Sequence, residues 1–162
     1  MSTDTSSTDT SNETTAGSDA PKPGEFRLEV ITLPVSDVDR AKAFYEGLGW
    51  RVDIDFEPAP GVRVVQLTPT GSGCSIAFGK NFTKAEPGSV ERLEVAVYDI
   101  EAARDDLIGR GVAVGELYHR GEGGNLPGPD PDRTSYNSYA EFSDPDGNGW
   151  VLQEITERLP GR

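Results

Sequence analysis

The chain contains one cysteine, one histidine and one methionine among its 162 residues. With Cys74 as the only cysteine, the chain forms neither an intrachain disulfide nor a cysteine-based zinc site. No apolar run approaches the roughly 18 to 20 residues that span a bilayer, and the N-terminus lacks the apolar segment of a secretory signal peptide. We therefore expect a cytoplasmic protein without a membrane anchor.

Positive charge is also scarce. Lys and Arg number 15 against 28 Asp and Glu, which gives a formal net charge of −13 at neutral pH. An acidic excess of this size repels nucleic-acid phosphates and anionic lipid headgroups, and no local cluster of Lys and Arg offsets it. Neither nucleic acid nor a membrane surface is an expected partner.

The hydrophobic residues are distributed unevenly along the chain. Residues 1–24 are rich in Ser, Thr and acidic side chains and are nearly devoid of large apolar ones, so they cannot offset the entropy of ordering and are predicted to be a disordered tail. Residues 25–158 carry the pattern of a folded domain, and residues 159–162 form a second short tail.

Within the domain, one pattern occurs twice. A strand is followed by a helix and three further strands, in modules of about 26–88 and 89–157. Ser36 with Asp39 predicts a capping box for the first helix, and Asp99 predicts the N-cap of the second. The predicted strands are Leu28–Val35, Trp50–Phe56, Gly61–Thr68 and Cys74–Phe78 in the first module, and Arg92–Tyr98, Val112–Tyr118, Tyr136–Phe142 and Asn148–Ile155 in the second.

Two βαβββ modules of this kind predict an α+β fold. By pairing their sheets they would form one curved mixed sheet, with a concave cup on one face and the helices outside. A long loop rich in Gly and Pro, Arg120–Ser135, is predicted in the second module and is interpreted as a lid or a surface loop. The cup is the expected ligand site.

Several short motifs resemble the vicinal oxygen chelate superfamily, which includes glyoxalase I, bleomycin-resistance proteins, fosfomycin-resistance enzymes and extradiol dioxygenases. The motifs are Leu33–Asp37 running into Arg40 and Phe44–Tyr45, Leu48–Trp50, Asp99–Ala103, and Asp144–Asn148 ahead of the last strand. The resemblance covers roughly residues 26–157. It implies the fold more strongly than the function, because this scaffold carries unrelated chemistries.

The resemblance also implies four positions at which metal enzymes of this family chelate an ion. They correspond here to Val30, Gln66, Glu94 and Gln153. Val30 has no donor atom, and neutral amides bind a divalent ion far more weakly than carboxylates do. We therefore expect no metal and no other cofactor, and these positions are expected to contact an organic ligand instead.

Two residues are candidates for catalysis by proton transfer. Glu94 is the one carboxylate among the four positions that the resemblance associates with metal ligands, and His119, the only histidine, stands just before the long loop. Together the two side chains would form an acid/base pair. Further side chains expected to contact a ligand are Val30, Thr32, Val64, Gln66, Tyr118, Arg133, Tyr136, Val151 and Gln153.

Three functional hypotheses remain open at this point. The first is a protein of glyoxalase/bleomycin-resistance type that binds a small organic molecule without a chelated metal, with or without isomerase or lyase activity. The second is a metal-dependent lyase, isomerase or dioxygenase, and the third is a non-catalytic protein that binds or sequesters a drug. A homodimer is expected from the resemblance and from the open edge strands of the modules.

Overall fold

The structure is a computed structural model and describes residues 20–160. Residues 1–19 of the predicted N-terminal tail and residues 161 and 162 of the predicted C-terminal tail lie outside the described residues. The secondary structure comprises, in chain order, β1 (Val30–Thr32), α1 (Val38–Gly47), β2 (Arg51–Ala59), β3 (Val62–Thr68), β4 (Ser75–Lys80), β5 (Leu93–Val97), α2 (Ile100–Gly109), β6 (Tyr118–Gly121), β7 (Gly124–Pro127), β8 (Ser138–Ser143) and β9 (Gly149–Glu154).

The two predicted modules are confirmed as two mixed sheets with one helix each. Sheet 1 has the strand order β1-β4-β3-β2 and sheet 2 the order β5-β9-β8-β6-β7. In each module the first strand pairs in parallel with the last, and the other pairings are antiparallel. The α+β fold class is therefore confirmed, but the single continuous sheet is not, because β1 and β5 are separate sheet edges.

Both helices begin at an aspartate whose side chain accepts a backbone N–H. Asp99 accepts from Ala102 at 3.0 Å, as predicted, and Asp37 accepts from Arg40 at 2.9 Å. The sequence prediction of Ser36 as the first cap is wrong by one residue. Ser36 instead donates its hydroxyl hydrogen to Asp146 in the loop before β9, so this side chain links the two modules.

One apolar core joins the modules through the helix-bearing faces of both sheets. Tyr45 of α1 stacks on Trp50 and lies edge-on to Trp150 of β9, with ring centroids 5.2 and 6.0 Å apart. Its hydroxyl donates to Asp144 at 2.9 Å and accepts from the indole N–H of Trp150 at 3.0 Å. The face of each sheet turned away from its helix is called the open face below.

The predicted loop Arg120–Ser135 is partly a β-hairpin. Strands β6 and β7 pair across a two-residue turn, in which Gly123 has a φ of 89° that L side chains rarely adopt. The strand predicted over Val112–Tyr118 is wrong except at its last residue, because β6 runs from Tyr118 to Gly121 and the rest of the predicted range contains only an isolated bridge from Val114 to Phe142.

A register shift in β2 changes which side chains reach the open face of sheet 1. Val52 lies opposite the buried Leu67, whereas two positions later Ile54 lies opposite Gln66. Since successive strand residues point to opposite faces, the shift turns Ile54 and then Phe56 away from the core. Phe56 is 51% exposed as a result.

Candidate ligand-binding site

The open face of sheet 1 is largely uncharged. The structure places four of the predicted ligand-binding residues on it: Val30 and Thr32 of β1, and Val64 and Gln66 of β3. Ile54 and Phe56, which the sequence analysis missed, extend this surface onto β2. No alternation signal in the sequence reveals them, because without the register shift both would face the core.

The side chain of Asp53, which lies at the register shift between Val52 and Ile54, is an acidic group on this face. Burial alone would raise the pKa of Asp53, but hydrogen bonds from Thr68 and Arg51, and a further one from Gln66, hold it below its usual value. The Gln66 amide therefore already has a hydrogen-bond partner on this face, the Asp53 carboxylate.

The open face of sheet 2 is polar and charged. Glu94 on β5 and Glu141 on β8 lie on either side of Val151 on β9, and the next pair along β9 sets Gln153 beside Tyr139. Sequence reasoning named Glu94, Val151 and Gln153 but missed Tyr139 and Glu141. The missed residues alternate with the buried Ala140 and Phe142, so strand parity alone predicts their direction.

Tyr118 connects β6 to this polar surface. Its ring stacks on Tyr139 with centroids 5.3 Å apart, and its hydroxyl donates to Glu141 at 2.8 Å. Partial burial and this hydrogen bond raise the pKa of Tyr118, so the phenol stays protonated and remains a donor. Arg120 lies over the Tyr139 ring, 5.2 Å from its centroid.

A cleft of about 400 Å³ separates the sheet edges β1 and β5. Ile31 and Ser75 line its first wall, and Glu94 and Ala96 line the second. Ser75 faces the same side of sheet 1 as Val30, and Glu94 belongs to the open face of sheet 2. The cleft therefore adjoins both open faces and makes Glu94 accessible from either module.

His119 lies on the other side of sheet 2. Because Tyr118 points to the open face, the next residue of β6 points to the opposite face. There the Nδ1 atom of His119 is 2.8 Å from the carbonyl oxygen of Gly128. This geometry contradicts the predicted acid/base pair of Glu94 and His119.

Arg133 and Tyr136, the two ligand-binding residues predicted at the end of the long loop, make contacts within the protein. The Arg133 guanidinium lies 3.3 Å from the Glu154 carboxylate, donates to the Tyr98 carbonyl at 2.9 Å and stacks over the Tyr98 ring. The Tyr136 carbonyl accepts from the hydroxyl of Tyr139, and its backbone adopts a φ of 70°. Arg133 thus covers the start of α2 at the rim of sheet 2, while Tyr136 supports the Tyr139 side of the open face.

The four positions that correspond to the family's metal ligands do not fit a metal ion. Val30 has no donor atom, and Glu94 accepts from Arg92 Nε at 3.1 Å. The Gln153 amide donates to Tyr136 and Tyr139, both at 3.3 Å. Across residues 20–160, no group of three or more His, Cys, Asp or Glu side chains is arranged to hold a metal ion.

The fold and these motifs define a known superfamily. The sequence profile of the Glyoxalase/Bleomycin resistance protein/Dioxygenase superfamily matches residues 27–152. The chain belongs to this superfamily, which confirms the resemblance seen in the sequence. No curated protein matches the chain.

Several solved structures are similar to this chain. TnmS3, an antibiotic binding protein from Streptomyces sp. CB03234, is 32% identical, with 82% of this chain and 98% of that chain covered and a TM-score of 0.64. A glyoxalase/bleomycin resistance protein from the same organism is also 32% identical, with 79% and 100% covered and a TM-score of 0.60. A superfamily member from Sphaerobacter thermophilus DSM 20745 is 27% identical, with 80% and 98% covered and a TM-score of 0.63.

None of the helices within residues 20–160 has the length and apolar character needed to cross a bilayer.

Proposed function

We propose that this protein binds a small organic molecule at the β1–β5 cleft and the adjoining open faces, without a chelated metal. The observation that carries the proposal is the contrast between the two faces. Sheet 1 exposes apolar side chains, including Ile54 and Phe56, while sheet 2 presents carboxylates, phenols and an amide. Apolar walls with a few convergent polar groups are typical of ligand sites.

The similarity to TnmS3 supports an antibiotic-like ligand by analogy. Binding is favoured over turnover because Glu94 has no histidine partner on its own face. The side chains at the four inherited positions support a metal-free site, since a single carboxylate already paired with an arginine is a poor ligand set for zinc, nickel or iron.

An apolar fluorescent probe, N-phenylnaphthylamine, tests where binding occurs. We expect saturable fluorescence enhancement with the wild-type chain and an affinity several-fold weaker in Phe56→Ser, which removes apolar surface from the open face. Ile108→Ser is the matched control, because Ile108 is also exposed but lies on α2, away from that face. Equal losses in both variants, or no saturable binding to the wild type, would contradict the proposal.

Elemental analysis tests the metal-free part of the proposal. We expect far less than one equivalent of zinc, nickel or iron after dialysis without chelator, and no thermal shift on adding these ions. Near one equivalent of metal that is lost in Glu94→Ala would favour the metal-dependent enzyme instead.

We also propose that the protein is a homodimer. The outer edge strands β2 and β7 leave backbone groups open, and the segment before β1 carries two strongly exposed apolar side chains, Phe26 and Leu28. A second copy covering these features would remove both from water.

A further inference from the structure

The internal repeat allows the cores of the two modules to be compared position by position. Asp37 and Asp99, the N-cap residues of the two helices, set the alignment. Tyr45 of α1 and Leu107 of α2 each stand eight positions after their aspartate, and both are buried in the core. The second helix therefore contributes a smaller core side chain at this position than the first helix does.

The sheet residues that pack beneath the helices differ in the same direction. Leu33 and Val95 stand four positions before their aspartates, and strand pairing continues each row across two further strands. The rows are Leu33, Phe78 and Val65 in the first module, and Val95, Leu152 and Ala140 in the second. Each member of the second row is smaller than its counterpart. Trp150, in the neighbouring row, is larger than its counterpart Ile76, but its indole packs against Tyr45 of the first module.

A pocket of about 160 Å³ lies beside these smaller side chains. Val95, Leu107 and Leu152 of the second module form part of its wall, and Leu48 and Trp50, which follow α1, form another part. All but one of the described residues that line it are apolar. The pocket thus occupies the junction between the modules on the helix-bearing side of sheet 2.

Asp106 is the one charged residue of this lining, and its charge is already paired. Arg110 donates from Nε to the Asp106 carboxylate at 2.7 Å, and from Nη1 to the carbonyl oxygen of Gly47, the last residue of α1, at 3.1 Å. Arg110 and Leu48 correspond in the repeat, since each is the C-cap of its helix. Leu48 lines the pocket, whereas Arg110 links α2 to α1 at the rim. Among the described residues of the lining, a charged ligand therefore meets no unpaired partner.

We propose that this pocket is a second binding site, for an uncharged aromatic molecule of about one ring. An apolar cavity of about 150 Å³ stays dry and holds benzene, because water finds no hydrogen-bond partners in it. The pocket has nearly this volume, and Trp50 and Phe142 supply aromatic walls for the ligand. Of the described residues, Val95 alone lines both this pocket and the β1–β5 cleft, so the two sites are separate.

Fluorobenzene is a probe of suitable size, and its binding can be followed by fluorine NMR and by the shift of the Trp50 indole N–H. We expect saturable binding with a Kd of roughly 1 mM or below. Benzoate has a similar ring and a negative charge, and it should bind at least about tenfold more weakly because the carboxylate would be desolvated beside Asp106. Equal affinities for the two compounds would contradict the uncharged ligand class.

Cavity-filling variants test the location of the site. Ala103→Leu adds volume to the lining, and we expect at least about tenfold weaker binding of fluorobenzene with an unchanged or higher thermal midpoint. Ala102→Leu is the matched control, since Ala102 is the preceding residue of α2 but is exposed, and its affinity should stay within about twofold of wild type. Leu107→Phe, which brings in a ring as at Tyr45, should also weaken binding and serves if Ala103→Leu does not fold.

The same titrations separate this site from the one in the proposed function. Phe56→Ser should leave the affinity for fluorobenzene unchanged, and fluorobenzene should not displace N-phenylnaphthylamine, whose three rings exceed the pocket. The absence of saturable binding would overturn the inference. A loss in Phe56→Ser without a loss in the filling variants would place fluorobenzene on the open face instead. An affinity that falls as the protein concentration rises would assign the pocket to a second copy of the chain, which also overturns the inference.

Discussion

Replacing Tyr45 with phenylalanine tests the buried polar link between the two modules. The Tyr45 hydroxyl is fully buried, donates to Asp144 of the second module and accepts from the indole N–H of Trp150. Tyr45→Phe removes both hydrogen bonds without changing the ring. Burial raises the pKa of Tyr45 far above its ordinary value, so the hydroxyl is protonated and donates at any working pH.

The expected loss follows from the two partners left behind. Asp144 is only 5% exposed and retains donors from Asn148 and from the backbone of Asp146, so its carboxylate loses one hydrogen bond of several. A hydrogen bond to a charged group contributes about 1.5 to 3 kcal/mol, and an unpaired buried indole N–H costs about 1 to 3 kcal/mol. With partial relaxation, we expect the free energy of unfolding to fall by about 2 to 4 kcal/mol.

Urea unfolding, followed by circular dichroism as well as tryptophan fluorescence, measures this loss. The denaturant dependence should stay unchanged while the midpoint falls. Tyr98→Phe is the control, because Tyr98 is largely exposed and its loss of a hydroxyl should change stability by less than about 0.5 kcal/mol. A double-mutant cycle with Asp144→Asn should give a coupling energy of about 1 kcal/mol or more. A loss below about 1 kcal/mol in Tyr45→Phe, or additive effects in the cycle, would refute the reasoning.

Three further predictions concern pH, the tail and assembly. Hydrogen bonds from Asn137 and Thr134 lower the pKa of Asp130 from 3.8 to about 2, so its stabilisation is present above pH 3.8 and is lost as the pH falls to about 2. The stability gap between wild type and Asp130→Asn should accordingly close over that interval in acid titrations, and a pH-independent gap would contradict this. Deleting residues 1–20 should leave the thermal midpoint unchanged, because these residues have almost no apolar surface to bury, and a drop of several degrees would show that they dock. Sedimentation should detect a concentration-dependent dimer that Phe26→Ser weakens, whereas a monomer at every micromolar concentration would exclude it.

Local signals in the sequence were enough to predict both modules. The Asp99 cap of α2 and the apolar periodicity of both helices depend only on neighbouring residues, and the structure confirms the two helices that they predict. Strand parity similarly predicts that Val151 and Gln153 share one face of β9, and the resemblance implied the same face for Glu94, as the pairing of β5 with β9 shows.

The tertiary structure decided the features that depend on pairing between distant residues. The register shift in β2 turns Ile54 and Phe56 outward, and it arises only when β2 pairs with β3. His119 was assigned to the cup because of its place in the chain, but its parity within β6 directs it to the other face. A one-residue change in register reverses the direction of every following side chain. The sequence alone therefore determined both helices and most of the strands, whereas strand pairing decided which residues the ligand-binding face presents.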